Sequence, residues 1–350
     1  MTKTKVALLY GGKSTEHEVS IRSATSIYRA IDKNLFDVRL IYINKEGRFI
    51  YHTKREIVPV SEDEGHLLFM MPSVGFMKQD KVLDIDVVFP VLHGNAGEDG
   101  NLQGMLEMLD VAYVGCNTRA SSVCMDKDMT KRLLREAGIQ VAPGFVFKHF
   151  EKDAIRFHAI KERLGLPMFI KPVNQGSSVG VSKVDDESEF QEALEVAFSL
   201  DTKVMIESGI IGREIEVSVL GNEDLTISVP GEIVSNTEFY DYDSKYIDDD
   251  GAELNIPAQL SEFELSNIQD VAGRTYRVLD CEGLSRVDVF LTEEGQVIVN
   301  EVNTMPGFTS ISMYPKLLEA SGVSYTELVT QLIILAIARY DVNGELKRSI

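Results

Sequence analysis

Two carboxylates and a carboxamide in the last quarter of the chain could bind a metal ion. Asp288 lies in one β-rich run and Glu301 in the next, with a glycine turn between the runs. If residues 294–295 form a two-residue hairpin turn, counting outward sets Asp288 opposite Glu301. The same register sets Arg286 opposite Asn303. Facing carboxylates repel unless a cation lies between them, and this set of oxygen ligands suits Mg²⁺.

A simpler interpretation of the same residues is a solvated strand face with an ion pair that involves Arg286. Strict alternation of strand side chains puts Val297 and Val299 on the face that carries Glu301. The two valines indicate that this face is at least partly covered by other parts of the protein. The sequence therefore favours the metal site, although a register slip of one residue would separate the two carboxylates.

A loop rich in glycine and serine (KPVNQGSSVGV, residues 171–181) could bind phosphate. Glycines let backbone amides approach phosphate oxygens, and serine hydroxyls add further donors. Lys171 begins the loop, Lys127 begins a predicted helix, and Lys245 lies in a long polar segment. The alternatives are an ordinary hairpin loop and three surface lysines. The lysines indicate a nucleotide site only if the parts of the protein that carry them close on one ligand.

Two further glycine-rich turns carry residues that could contact a small molecule. The turn GGKSTE (residues 11–16) follows the first predicted strand and ends in Glu16. It is not a P-loop, because the glycine that a P-loop requires earlier in the motif is replaced by Ala7. His93 opens the second loop, HGNAGEDG, and could orient or protonate a ligand. A lone histidine is more often structural, and turn chemistry alone could explain the first loop.

Alternating strand and helix patterns must position these residues. The first third predicts parallel βαβ units with a site at the carboxyl ends of the strands. The middle third predicts a helix over 126–137 and a small α+β lobe, and the last third is β-rich. The polar segment 235–253 is long enough to be functional or disordered. The predicted strands are 6–10, 38–43, 85–92, 145–148, 168–172, 181–184, 203–207, 215–220 and 226–234; further helices are predicted near 21–31 and 105–109, over 154–164 and 189–200, and after Ser261 and Ser324.

Composition excludes several classes of function. The 350 residues carry a net charge of −20, which disfavours nucleic acid, since nucleic-acid binding depends on Lys and Arg. The 3 cysteines have no metal-binding or redox spacing and favour a reducing compartment. The apolar runs are too short for a signal peptide or a membrane span. We therefore expect a cytoplasmic protein with no membrane insertion.

Taken together, the motifs resemble the D-alanine–D-alanine ligase family of the ATP-grasp superfamily. The resemblance covers almost the whole chain, and the ordered set of motifs is highly specific. The motifs are GGKSTEHEVS (11–20), HGNAGEDGNLQG (93–104), MDK (125–127), KPVNQGSSVGVS (171–182), EIEVSVLG (214–221), YDYDSKY (240–246), RVD (286–288) and EVNTMPGFTSIS (301–312).

The resemblance implies an α/β protein with α+β lobes and an ATP-grasp fold of three domains. It implies an N-terminal parallel-sheet domain for substrate (1–123), a central lobe with the phosphate loop (124–212), and a C-terminal lobe with the metal site and the lid 235–253 (213–350). It also implies ligation of two D-alanine molecules with ATP through a D-alanyl phosphate, for peptidoglycan precursors. Two Mg²⁺ ions, which Mn²⁺ could replace, and a homodimer are part of the same expectation.

The family's site residues carry over to matching positions of this chain. The resemblance assigns the metal to Asp288, Glu301 and Asn303, and the oxyanion to Arg286 and the amide of Gly307. A triad of Glu16, Ser177 and Tyr246 would join the domains over the substrates. His93 would lie near the first D-alanine and Ser312 would hold the second, and the nucleotide would contact Lys127, Lys171, Ser178, Glu207, Ser208, Ile210, Glu214, Lys245 and Asn300.

Three alternatives remain at this point. A ligase of the same fold could accept D-lactate as the second substrate, although such relatives commonly lack the residue that matches Tyr246. A nucleotide-binding regulator could keep the fold without turnover, although the intact carboxylates and lysines argue against it. An ATP-grasp ligase for other substrates would have to explain Glu16, Tyr246 and Ser312 together.

Overall fold

A computed structural model describes residues 2–235 and 252–347, and its framework is three β-sheets. The first sheet lies in the order β6-β5-β4-β3-β2-β1-β7-β8. Strands β1, β2, β7 and β8 are parallel to one another, whereas β2 to β6 form antiparallel pairs. Its strands are β1 (Thr4–Gly11), β2 (Phe36–Ile43), β3 (Phe49–His52), β4 (His66–Met71), β5 (Gly75–Lys78), β6 (Lys81–Val82), β7 (Val87–Val91) and β8 (Ala112–Tyr113).

The predicted βαβ units are confirmed on the parallel side of this sheet. Helix α1 (His17–Ala30) connects β1 to β2, and α2 (Asn101–Met108) connects β7 to β8. Strand β1 is buried along most of its length because it lies inside the sheet. The antiparallel strands between residues 49 and 82 were not predicted, because they are short and several of their residues face solvent.

The second sheet has four strands in the order β11-β10-β12-β9. These are β9 (Gly144–Lys148), β10 (Met168–Pro172), β11 (Ser182–Val184) and β12 (Lys203–Ser208). Helices α3 (Thr118–Met125) and α4 (Lys127–Glu136) precede it, and α5 (Phe157–Leu164) and α6 (Glu187–Leu200) pack on it. The helix predicted over 154–164 is instead a 3₁₀ turn, His149–Ala154, followed by α5.

The third sheet lies in the order β16-β15-β13-β17-β18, and β14 pairs with β13. The single strand predicted over 226–234 is wrong: it is split around Pro230, which has no N–H to donate to a neighbouring strand. The predicted caps Ser261 and Ser324 do begin helices. The elements are β13 (Arg213–Gly221), β14 (Thr226–Ile227), β15 (Gly231–Ser235), β16 (Ala252–Asn255), α7 (Glu262–Val278), β17 (Gly283–Leu291), β18 (Val297–Asn303), α8 (Met313–Ala320) and α9 (Tyr325–Gly344).

The hairpin of β17 and β18 confirms the predicted facing pairs, but its turn and its register differ from the prediction. Asp288 pairs with Glu301 and Arg286 with Asn303. The turn has three residues rather than two, because the Thr292 amide bonds to Gln296 O at 3.0 Å and Gly295 takes the left-handed φ of +76°. A bulge at Asn300 then restores the register near the carboxylates.

The same bulge corrects the prediction for Val297 and Val299. Both valines pack in the core cluster that also holds Val287 and Val289. They therefore lie on the face opposite to Glu301, because the extra residue in β18 inverts the alternation after Val299. The strand face that carries Glu301 instead borders the cavity described below.

No single helix among residues 2–235 and 252–347 has the length and apolar composition to span a membrane. The bent pair α8 and α9, with 105° between its helices, meets that criterion when the two helices are taken together.

Candidate active site

One cavity brings together residues from all three sheets. It has a volume of ≈ 350 Å³ and is lined by nine of the site residues predicted from the sequence. A neighbouring cavity of ≈ 50 Å³ lies over Glu214, Asp288 and Asn300 and shares Glu301 with the first. Tyr246 and Lys245 lie outside the described residues, as do residues 236–251 of the predicted lid. The nine are Glu16, His93, Lys127, Ser177, Arg286, Glu301, Asn303, Gly307 and Ser312.

Glu16 and Ser177 join the first sheet to the loop of the second. The Ser177 hydroxyl donates to Glu16 Oε1 at 2.6 Å. Glu16 directly precedes α1, and Gly11 before it has a φ of +98°, where a side chain would strike Ile43 O. Ser177 has the left-handed φ of +51°, which is uncommon for serine and indicates a conformation imposed by its surroundings. Two parts of the sequence therefore meet here as the resemblance implies.

His93 lies at the carboxyl end of β7 and is held by two contacts. Its Nδ1 lies 3.0 Å from Met305 O and therefore carries the proton, since a carbonyl only accepts. The Ser23 hydroxyl lies 3.3 Å from Nε2. Burial lowers the pKa of His93 below its ordinary value, while the nearby charge of Glu16 opposes this shift. A neutral His93 thus connects the first sheet to the segment after β18.

Glu98 is a cavity residue that the sequence analysis did not single out. Its Oε1 accepts from the Gly94 amide at 2.8 Å. Burial and the charge of Glu16 raise the pKa of Glu98 to about 8, so the carboxyl carries a proton in neutral solution. The motif HGNAGEDG contains Glu98, but the sequence does not indicate which of its two acidic residues turns inward.

Lys127 connects the phosphate loop to the carboxylate hairpin. Its Nζ donates to Gln175 O at 2.6 Å and lies 3.4 Å from Glu301 Oε2. The backbone of Lys127 begins α4, where the Asp126 side chain caps the Asp128 and Met129 amides. A single helix start therefore delivers a positive charge to the boundary between the second and third sheets.

Lys171, on β10, pairs with Glu207 on β12, and both side chains are buried. Glu207 also pairs with Lys131 of α4, which the sequence analysis did not single out. Burial alone would raise the pKa of Glu207, but the two ammonium groups lower it to about 2. Glu207 is thus held by lysines in this structure. The one sequence signal for Lys131 is its position four residues after Lys127, which puts both lysines on one side of α4.

Three other predicted nucleotide residues, Ser208, Ile210 and Glu214, lie at the end of β12 and the start of β13, and a fourth, Ser178, lies in the phosphate loop between β10 and β11. The Ser208 hydroxyl donates to Leu164 O at 3.0 Å. Ile210 lies in the connection between the two strands, and Glu214 pairs in register with Phe290. Ser178 follows Ser177 with a φ of +58°. None of these four residues lines the larger cavity, so they lie beside it rather than inside it.

The carboxylate hairpin carries an ion pair in this structure. The Arg286 guanidinium donates from Nε and Nη2 to the two oxygens of Asp288, both at 2.7 Å. Arg286 Nε also lies 3.0 Å from Oε2 of Glu216, which is opposite Asp288 on β13. The ion pair of Arg286, which the sequence analysis gave as the alternative to a metal site, is therefore present in this structure. Glu216 was missed, although its spacing from Glu214 predicts that both face the same side.

The residues fit a divalent cation provided that Arg286 moves away from Asp288. Acidic side chains on three adjacent strands, Glu216, Asp288 and Glu301, face one another there. Asn303 Oδ1 accepts from the Met305 amide at 3.0 Å and has a second lone pair. No group of three or more His, Cys, Asp or Glu side chains in the described part of the chain is already arranged to hold a metal. The oxygen-rich donor set suits Mg²⁺ or Mn²⁺.

Gly307 and Ser312 form the remaining wall of the cavity. The Ser312 hydroxyl accepts from the Thr309 amide at 3.0 Å. A side chain at Gly307 would lie 2.7 Å from Ser312 Oγ, so only glycine leaves this space for the hydroxyl. Both residues lie in the turn between β18 and α8 and line the cavity together with Arg286.

Two family models match the chain. One, described as the D-ala D-ala ligase N-terminus, matches residues 5–116. The other, described as the D-ala D-ala ligase C-terminus, matches residues 133–334. The two matches together cover most of the chain.

Individual proteins match over the full length. A D-alanine–D-alanine ligase of Shouchella clausii is 51% identical over 364 residues, which cover 100% of this chain and 99% of the relative. D-alanine–D-alanine ligase A of Escherichia coli K12 is 46% identical and covers 99% of each. The solved D-alanine–D-alanine ligase of Coxiella burnetii superposes with a TM-score of 0.88 at 36% identity, covering 99% of this chain and 97% of that one. A D-Ala:D-Ser ligase of Enterococcus faecalis gives 0.87 at 36%, covering 96% and 100%.

Proposed function

Since this chain belongs to the D-alanine–D-alanine ligase family, we propose that it joins two D-alanine molecules to D-alanyl-D-alanine with ATP. The fold is the predicted α/β ATP-grasp architecture. The carboxylate of one D-alanine would attack the γ-phosphorus, giving D-alanyl phosphate and ADP. The amine of the second would then attack the acyl carbon and lose a proton as phosphate leaves. The dipeptide would serve peptidoglycan precursor synthesis.

The observation that carries the proposal is the shared cavity. It places an acidic group suited to an ammonium, Glu16, beside the serine of the phosphate loop. It also places Lys127 next to Glu301, where phosphate and metal would meet. Phosphoryl transfer requires mainly positioning and charge neutralisation from the protein, and these groups supply both. A cavity of ≈ 350 Å³ suits small substrates rather than a macromolecule.

Each group then has a role that follows from its chemistry. Glu16 pairs with the ammonium of the first D-alanine, and His93 lies near its carboxylate. Lys127 and Lys171 bind phosphate oxygens. Arg286, released from Asp288, and the Gly307 amide donate to the developing oxyanion, where preorganised donors contribute most.

The remaining positions complete the second-substrate, nucleotide and metal sites. Ser312 holds the carboxylate of the second D-alanine. Asp288, Glu301 and Asn303 hold Mg²⁺, which neutralises phosphate charge when bound. The adenosine part would contact Ser208, Ile210 and Glu214 beside the cavity, with Glu207, Ser178 and Asn300 nearby. Lys245 and Tyr246 are assigned from the motif alone.

The wider setting is also proposed. We expect a cytoplasmic homodimer whose domains are 1–123, 124–212 and 213–350, with a lid over 235–253. Three buried cysteines without a disulfide are consistent with a reducing compartment. The three sheets lie within the three proposed domains.

The test is phosphate release with ATP and Mg²⁺, combined with mass identification of the product. D-Alanine should support phosphate release and yield the dipeptide, while L-alanine should not. D-Lactate and D-serine, each offered together with D-alanine, test the second-substrate site. A product made mainly of D-alanyl-D-lactate or D-alanyl-D-serine would overturn the choice of second substrate, and no phosphate release with any of them would overturn the enzymatic proposal.

A further inference from the structure

Lys131 is a buried lysine beside the phosphate site that the proposed reaction does not use. It lies one helical turn after Lys127 on α4, and only 1% of its side chain is exposed. An ammonium this deeply buried is costly unless a counter-charge accompanies it. Its counter-charge is the carboxylate of Glu207, which comes from β12.

The Glu207 carboxylate is divided between two lysines. Oε2 pairs with Lys131 and Oε1 pairs with Lys171. The group of three therefore carries one net positive charge. With Lys131 removed, Glu207 would cancel the charge of Lys171, which is the residue expected to bind phosphate. The arrangement thus supplies one ammonium to balance the carboxylate and a second to face the ligand.

We propose that Lys131 is a positioning residue that neutralises Glu207 and so keeps the positive charge of Lys171 available to the phosphates of a nucleotide. The assignment rests on the proposed function, because that function gives Lys171 its ligand. Like Glu207 and Lys171, Lys131 does not line the ≈ 350 Å³ cavity.

The position of Lys131 is fixed independently of its own ion pair. Lys203 of β12 pairs with Asp126 at 3.0 Å and with Asp128 at 2.7 Å, at the start of α4. Lys203 and Glu207 are four residues apart on one strand, so their side chains point to the same face. The helix is therefore held along β12 at two points, and Lys203 is not among the residues assigned to the ligand. Lys203 is the matched control.

The experiment measures binding of inorganic tripolyphosphate by calorimetry in metal-free buffer. This probe has no adenine, so any contact of Glu207 with the base does not contribute. We expect Lys131→Met to weaken binding about tenfold, as the loss of one nearby charge predicts. Lys203→Met should bind like the wild type. The double variant Lys131→Met/Glu207→Gln should recover most of the lost affinity, because it restores the net charge of the group.

Two results would overturn the proposal. If Lys203→Met weakens binding as much as Lys131→Met, the loss reflects movement of α4 rather than charge. If the double variant binds as poorly as Lys131→Met, Glu207 does not oppose Lys171.

A second measurement applies even if Lys131→Met fails to fold. Burial, and the charge of Lys171, lower the pKa of Lys131 to about 8, although Glu207 opposes this. The charged groups around it are Glu207, Lys171 and, farther away, Glu301. Affinity of the wild type should fall relative to Lys131→Arg as the pH rises through about 8, since the guanidinium stays charged. Parallel pH profiles of the two proteins would contradict the proposal.

The two proposals fail in distinguishable ways. A protein that binds tripolyphosphate with this charge dependence but forms no dipeptide would contradict the proposed reaction only. Dipeptide formation with Lys131→Met binding tripolyphosphate like the wild type would contradict the role of Lys131 only.

Discussion

Glu207 and Asp288 are two carboxylates assigned to the proposed site, yet their charges are balanced in different ways. Glu207 is held by two lysines from α4 and β10, which belong with its own sheet. Asp288 is held by Arg286, two residues away on the same strand, and this arginine is itself expected to serve the reaction. We call Lys131, Lys171 and Glu207 the basic half of the site, and Glu216, Asp288 and Glu301 the acidic half. The basic half is assembled without a ligand, whereas Asp288 in the acidic half is paired with an arginine that the proposed reaction uses elsewhere. Under the proposed metal assignment, Mg²⁺ would have to displace Arg286 from Asp288, whereas the pairing of Glu207 with its lysines need not change.

The largest effect should come from the acidic half. Glu301→Gln removes a metal ligand, and we expect turnover to fall at least about 100-fold, since a metal supplies several kcal/mol of charge stabilisation. Folding should change less than turnover, because Glu301 is only partly buried and glutamine keeps its size and one side-chain oxygen. Steady-state rates and thermal melting measure the two effects. Glu293→Gln, in the exposed turn of the same hairpin, is the control and should behave like the wild type. Retained activity in Glu301→Gln would contradict the metal assignment.

The second effect should be on stability and should be larger in the basic half. Glu207→Gln leaves two buried ammonium groups without a counter-charge, which should cost about 3 kcal/mol in the free energy of unfolding. Asp288→Asn should cost about 1 kcal/mol or less, because Arg286 keeps its contact with Glu216. Urea unfolding measures both values. Equal losses would remove the proposed difference between the two halves.

The difference in unfolding free energy between the wild type and Glu207→Gln should depend on pH. The pKa of Glu207 is about 2 in the folded protein against 4.5 ordinarily, so its ionised form stabilises the fold above that range. The stability advantage of the wild type over Glu207→Gln should shrink as the pH falls from 4.5 through about 2. An advantage that stays constant in acid would show that the lysines do not hold the carboxylate ionised.

A smaller effect is expected at the junction between the first sheet and the phosphate loop. Ser177→Ala removes the 2.6 Å hydrogen bond to Glu16, and we expect the KM for D-alanine to rise about tenfold, the equivalent of one charge-assisted hydrogen bond. Nucleotide affinity should change less, because Lys127 and Lys171 remain. Kinetics at varied D-alanine and at varied ATP separate the two. Ser199→Ala, whose hydroxyl bonds only within its own helix end, is the control. A larger change in the KM for ATP than in the KM for D-alanine would indicate that Ser177 contributes to nucleotide binding instead.

The smallest effect concerns Glu98, the protonated carboxyl near Glu16. Its pKa is raised to about 8, so the folded protein binds this proton more tightly than the unfolded chain. Wild-type stability should therefore fall as the pH rises toward and through about 8, by about 1 kcal/mol after solvent screening. Glu98→Gln is neutral throughout and should lose less stability over the same range. Unfolding at several pH values measures the difference, and identical slopes would mean that Glu98 is already ionised in neutral solution.

Periodicity and motif order predicted the framework of this protein well. The parallel strands β1, β2 and β7 come from strong local runs of apolar residues. The prediction that Asp288 faces Glu301 assumed a two-residue turn, which is one residue shorter than the turn in the structure. The bulge at Asn300 compensates for this error, and a bulge depends on how the strands pack rather than on a local sequence signature.

The residues that the sequence did not reveal are charged groups that become buried. Lys131 and Glu216 read as ordinary surface residues, because single charges are usually exposed. Their burial is decided by partners that are distant in sequence, Glu207 for Lys131 and Arg286 for Glu216. Such pairs appear only once the sheets are placed together, so the motifs did not reveal them.

The most direct test of the difference between the two halves is calorimetric titration of a non-hydrolysable ATP analogue into the wild type and Glu301→Gln, with EDTA and then with Mg²⁺. In EDTA, Glu301→Gln should bind the analogue at least as tightly as the wild type, because the lysines are unchanged and the carboxylate 3.4 Å from Lys127 is neutralised. Magnesium should tighten binding to the wild type about tenfold or more and leave Glu301→Gln nearly unchanged. Binding that magnesium tightens equally in both proteins, or in neither, would contradict a metal site completed by Glu301.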